Sequence, residues 1–235
     1  MSGRAASLRE LREAALACGA ALYVDDAHGT GVVGGQGRGT VWELLGGYEN
    51  TLVVGSLSKA LSCMGGFVAC DADTQWALKI RSNPLIFGGP VPPPYLEAAC
   101  AALDIVASGE YAALRARLDA NVRQFLRGAE AAGFEVQGGV TPIVSIRIGD
   151  ETETLKAGRY LFERGYYVQS VIFPAVPHRG GVLRVQINAN HHPDAIAGLL
   201  EALRGLRAQL PPSAEPPNGR AAARAAAPAV GKVSV

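Results

Sequence analysis

Residues 51–66 read TLVVGSLSKALSCMGG, and the fold class turns on how that run is interpreted. Thr51 to Gly55 is apolar and β-branched with no polar alternation, the pattern of a short strand covered on both faces, as in a parallel sheet. Ser56, Ser58 and Lys59 follow where the strand hands over to a loop. In open α/β sheets ligands collect beyond the carboxyl ends of strands, because loops and helix starts converge there. A long cation at that point calls for a chemical explanation.

The pattern repeats on either side. Upstream, Ser7 and Glu10 have capping-box spacing before a helix carrying Leu8, Leu11 and Ala15 on one face, and Gly19 is placed to end it. The strand AALYV follows and stops at Asp25. Downstream, GFVAC from Gly66 reads as a third buried strand and TQWALKIR as a short helix. Alternation of this kind predicts an α/β domain with a mostly parallel sheet. The Pro- and Gly-dense stretch 83–94 predicts a break with no regular structure. Two long helices are expected beyond it, near 94–108 and 110–132, the second with Leu114, Leu118, Val122, Phe125 and Ala129 on one side. Strands near TPIVSIRIG, YYVQSV and GVLRVQIN, with helices near 153–164 and 193–210, predict a smaller α+β domain. The resulting division is 1–92 for the C-terminal part of a large domain, 93–210 for an inter-domain helix and small domain, and 211–235 for a Pro/Ala-rich disordered tail.

Composition narrows the function classes. The 235 residues are 49% hydrophobic and 18% charged, with a formal net charge of +1. No basic run stands out in the body of the chain, so neither nucleic acid nor an anionic membrane is an expected partner. The first residues are charged, and no stretch has the length of a membrane span, so the chain reads as cytosolic. Cys18, Cys63, Cys70 and Cys100 are widely spaced with no C-x-x-C. They predict neither a metal site nor a disulfide framework, and read as small, mostly buried side chains.

The polar residues on the strand ends carry the chemistry. Asp25 and Asp26 end the first strand, His28 lies three residues past Asp25, and Ser56, Ser58 and Lys59 end the second. Singly, each has an ordinary explanation as a turn residue, a structural histidine or a surface loop. Together, a carboxylate, an imidazole and an amine flanked by hydroxyls match what pyridoxal 5′-phosphate (PLP) needs. The amine bonds a carbonyl, the hydroxyls hold a phosphate, and the carboxylate keeps a pyridinium protonated.

Three stretches, YVDDAHGTGVVGGQGRGT (23–40), SLSKALSCMGGF (56–67) and FPAVPHRGGVLRVQINANHH (173–192), resemble the α-oxoamine synthases, fold-type I PLP enzymes. The resemblance covers about 1–210, and its specific signal is the ordered pair of D-[DE]-A-H-G-x-G and S-x-S-K. It implies that Lys59 carries the cofactor and moves protons at the substrate Cα, that Asp25 pairs with the pyridine nitrogen and that His28 bonds the phenolic oxygen. Ser56, with Ser58 as a weaker candidate, would contact the phosphate. Arg184 would hold the amino-acid carboxylate, a task suited to its planar fork; an edge-strand salt bridge is the ordinary alternative.

The implied reaction is decarboxylative condensation of an amino acid with an acyl-CoA to an α-aminoketone, in a homodimer when complete. The alternatives are another fold-type I enzyme such as an aminotransferase, or a catalytically silent truncated subunit. Two departures from the family accompany the resemblance. The family's N-terminal Gly-rich phosphate loop and stacking ring have no counterpart here, so a fragment or half of a split enzyme is expected. In addition, Gly88 and Gly89 stand where relatives offer a hydroxyl.

Overall fold

The computed structural model describes residues 1–138 and 141–210; the expected tail from 211 lies outside the described residues. The N-terminal part runs α1 (Leu8–Ala17), β1 (Leu22–Asp25), α2 (Thr40–Leu45), β2 (Thr51–Ser56), β3 (Gly66–Ala69), α3 (Ala72–Arg81) and α4 (Asn83–Phe87). Its three strands are ordered β1-β2-β3. β1 runs parallel to β2, with Val24 opposite Val53. β3 is antiparallel to β2, with Gly55 opposite Phe67, so the parallel expectation holds for the first pair only. The reason lies in the connection. The β2–β3 loop turns back on itself, Leu57 N–H donating to Gly65 C=O at 3.0 Å and Cys63 N–H to Leu57 C=O at 2.8 Å, whereas a parallel return needs a crossover of a dozen or more residues.

Several local expectations are corrected. β1 and β3 are not covered on both faces: Tyr23 is 66% exposed, and Phe67 and Val68 also face outward. Ser7 precedes α1 but makes no side-chain cap bond; at φ −73°, ψ 68° its backbone is not the extended form that aims a hydroxyl at the first turn. The stretch 83–94 is not wholly irregular, because α4 forms at its start with Pro84 in the first turn, where a missing N–H costs nothing. Of the cysteines only Cys63 is buried, while Cys18 and Cys100 are exposed. A small core of Leu8, Val41 and Val53 ties α1 and α2 to the sheet.

The C-terminal part comprises α5 (Pro93–Ala107), α6 (Glu110–Ala131), β4 (Val136–Gln137), β5 (Ile143–Gly149), α7 (Glu151–Phe162), β6 (Gln169–Val171), β7 (Gly181–Gln186) and α8 (Pro193–Arg207). Its sheet is ordered β4-β5-β7-β6 and every pair is antiparallel. Phe125 and Val122 of α6, Leu161 of α7 and Leu203 of α8 pack on Val144, Ile146, Leu183 and Val185 to form the main core. Because side chains alternate along a strand, the intervening Ser145 and Arg184 point to the opposite face. Cross-strand register places Ser145, Arg184 and Gln169 in one row across β5, β7 and β6. Among the described residues no helix is long and apolar enough to cross a membrane, and no group of three or more His, Cys, Asp or Glu is placed to hold a metal ion.

Candidate active site

β1 and β2 are parallel, so their carboxyl ends share one edge, and the polar residues that follow each strand meet there. Asp25 is exposed, and its Oδ1 accepts from the Ala27 N–H at 3.0 Å, which turns the chain toward His28. Asp26 points inward and is only 5% exposed. Its Oδ2 accepts from the Thr40 N–H at 2.6 Å and the Val41 N–H at 3.4 Å, serving the start of α2 from 14 residues away. Its carbonyl accepts from the Gly29 and Thr30 N–H groups at 3.0 and 2.8 Å. Burial pushes the Asp26 carboxyl above its ordinary range, against the pull of the Thr40 and Val41 contacts. A side chain at Gly29 or Gly39 would collide with this carboxylate, and Gly39 also sits at φ +94°. Sequence reasoning gave Asp26 no role, although the glycines around it were the available signal.

His28 stands at the junction of the two parts of the chain. Its Nε2 lies 3.4 Å from Arg184 NH2, and since a guanidinium can only donate, Nε2 accepts and Nδ1 carries the proton. Burial, with the positive charges of Lys59 and Arg184, holds the imidazole below its ordinary pKa. It is therefore neutral near pH 7.

At the end of β2, Ser56 Oγ and Ser58 Oγ lie 2.8 Å apart, and the Ser58 N–H donates to Ser56 Oγ at 3.2 Å. The hydroxyls are thus paired at the mouth of the loop. Lys59 is exposed rather than held in a water-poor pocket, and its amine makes no hydrogen bond or ion pair among the described residues. The backbone around it is fixed, with the Ser62 N–H donating to Lys59 C=O at 3.1 Å.

Arg184 comes from the other part of the chain. β7 is flanked by β5 and β6, so the edge-strand alternative is corrected, and no carboxylate pairs with this guanidinium among the described residues. The side chain is 9% exposed and its Nε has no partner. A buried cation with an unused donor costs free energy that an arriving anion would recover. The structure therefore brings His28 and Arg184 into contact and sets Lys59 near enough for its charge to act on His28. Asp25 and the two serines occupy the same edge without touching them.

Residues 1–203 match the family model "Aminotransferase class I and II". The 8-amino-7-oxononanoate synthase of Anaeromyxobacter sp. (strain K) is 39% identical over 217 residues, covering 92% of this chain and 54% of that protein. Among solved structures, a serine palmitoyltransferase carrying PLP superposes with a TM-score of 0.82 at 30% identity, over 89% of this chain and 52% of the other. The 8-amino-7-oxononanoate synthase of Francisella tularensis gives 0.75 at 27% identity, over 87% and 59%. The chain spans about half the length of the curated relatives it matches.

Proposed function

Because the chain belongs to the aminotransferase class I and II family, among the α-oxoamine synthases with fold-type I architecture, we propose that it carries the lysine-bearing part of a PLP-dependent acyltransferase site. The reaction is the condensation of an amino acid with an acyl-CoA, releasing CoA and CO2 and leaving an α-aminoketone. The donor set suits the cofactor: an amine, a pair of hydroxyls, a carboxylate and a neutral imidazole on one sheet edge. When bound, PLP supplies an electron sink for bond breaking at the substrate Cα.

Lys59 holds the cofactor through its amine and then moves the proton at Cα. Asp25 offers a carboxylate to the ring nitrogen. Ser56, with Ser58 hydrogen-bonded to it, meets the phosphate. The imidazole of His28 offers Nδ1–H to the ring oxygen while Nε2 is occupied by Arg184. Arg184 receives the amino-acid carboxylate. The working unit is a homodimer in the cytoplasm. The single observation that carries this reading is the buried, carboxylate-free Arg184 in contact with His28, which offers an anion site beside the cofactor groups.

The test is chemical labelling. A full-length protein carrying this sequence, mixed with PLP and treated with borohydride, is expected to yield, on peptide mapping, a modified Lys59; modification at Lys79 or Lys156 instead removes the assignment. An assay for free CoA thiol separates the condensation from amino transfer. In a full-length protein carrying this sequence, release on mixing amino acid and acyl-CoA supports the proposal, and transfer to a 2-oxo acid without release supports an aminotransferase.

A further inference from the structure

Arg184 has five N–H donors in a fixed fork. NH1 donates to Gln169 Oε1 and NH2 to His28 Nε2, each at 3.4 Å, and Nε is buried without a partner. NH2 carries two protons, so its bond to His28 leaves one. The edge formed by Nε–H and the second NH2 proton is the one a carboxylate can grip with two parallel bonds. Whether that edge is presented depends on the rotation of the guanidinium plane, and Gln169 is the side chain that ties the opposite nitrogen. Its placement is built into the sheet, since Gln169 and Arg184 are directly opposite across the β6–β7 pair and so emerge on the same face.

We propose that Gln169 is the positioning residue of the carboxylate site: by accepting from NH1 it turns the guanidinium so that Nε and NH2 face the α-carboxylate of the amino-acid substrate. The inference rests on the reading of Arg184 given above. A neutral amide is the fitting group for this task. A carboxylate at 169 would neutralise the guanidinium and compete with the substrate, whereas an apolar residue would leave NH1 free to rotate the fork away. Ser145, on the other side of Arg184, makes no hydrogen bond to it among the described residues, and its hydroxyl donates to the Met1 carbonyl at 2.8 Å.

The experiment is calorimetric titration of the PLP-saturated protein with alanine and with alaninamide, which differ only in the carboxylate. The parent is expected to prefer alanine. In Gln169→Leu that preference should fall about fivefold, the scale of one lost hydrogen bond, with alaninamide affinity unchanged. Gln169→Glu should lower it further, because a carboxylate beside NH1 neutralises the charge that attracts the substrate carboxylate. A merely structural role would weaken both ligands together. If the parent itself shows no preference, the assignment of Arg184 fails and the proposal with it. If the parent prefers alanine and Gln169→Leu keeps the full preference, or loses both ligands equally, Arg184 stands and Gln169 is not its positioning residue.

Discussion

Asp26 and Asp25 are neighbours with opposite surroundings. Asp26 is buried and bonded to the start of α2, so Asp26→Ala leaves buried N–H groups unmet and is expected to cost about 1–3 kcal/mol. Asp26→Asn keeps an acceptor and should cost less; urea denaturation of both variants measures the difference. Asp25 is exposed, so Asp25→Asn should leave the denaturation midpoint near that of the parent, while in a full-length protein carrying this sequence it should lower the proposed condensation turnover by about 100-fold or more, because an unprotonated ring is a poor electron sink. His28 gives a pH prediction. Its folded-state pKa is depressed below the ordinary 6.5, so the unfolded chain takes up a proton first as pH falls. The stability contributed by the neutral ring is present above about pH 6.5 and is lost as pH falls toward the folded-state value. Denaturation at pH 7.5 and 5.5 should show a smaller loss in His28→Gln than in the parent.

α7 and β6 pack closely because Gly158 has no side chain: a Cβ there would run into Ser170 Oγ, whose hydroxyl donates to Thr154 C=O at 3.2 Å. Gly158→Ala is expected to push the helix off the strand and cost about 1–3 kcal/mol in thermal or urea unfolding. The long elements of this part were legible because burial imposes a period. Phe125, Val122 and Ala129 lie on the face that the spacing of α6 predicted. α2 and β4, of 6 and 2 residues, are too short to show one, and their positions depend on distant partners such as Asp26. The direction of β3 was illegible for a related reason: apolar content registers that a strand exists, not which way its neighbour runs. Within the site, Lys59, His28 and Asp25 stand in a local motif. Gln169 carries no local signal, because its place beside Arg184 arises from strand register between segments 15 residues apart.

At the scale of the molecule, large apolar side chains remain on the surface of the N-terminal part. Trp76, Leu85 and Phe87 are 65%, 60% and 83% exposed, and Tyr23 faces outward on β1, an edge strand of the three-stranded sheet. Apolar area of this kind and an uncovered strand edge favour association. Residues 1–235 expressed alone are expected to elute above the monomer in size-exclusion chromatography with light scattering, and to show no CoA release. A well-behaved monomer that turns over acyl-CoA would contradict both expectations. The contact between His28 and Arg184 spans 156 positions, which sets a schedule for biosynthesis. At about 5–20 residues per second on the ribosome, roughly 8–30 s pass between the two. Through most of that interval the nascent chain displays His28 and an open sheet edge without the Arg184 that meets His28 in the folded protein. The newborn protein thus passes through a stage in which chaperones have a surface to hold and the proposed site is still unassembled.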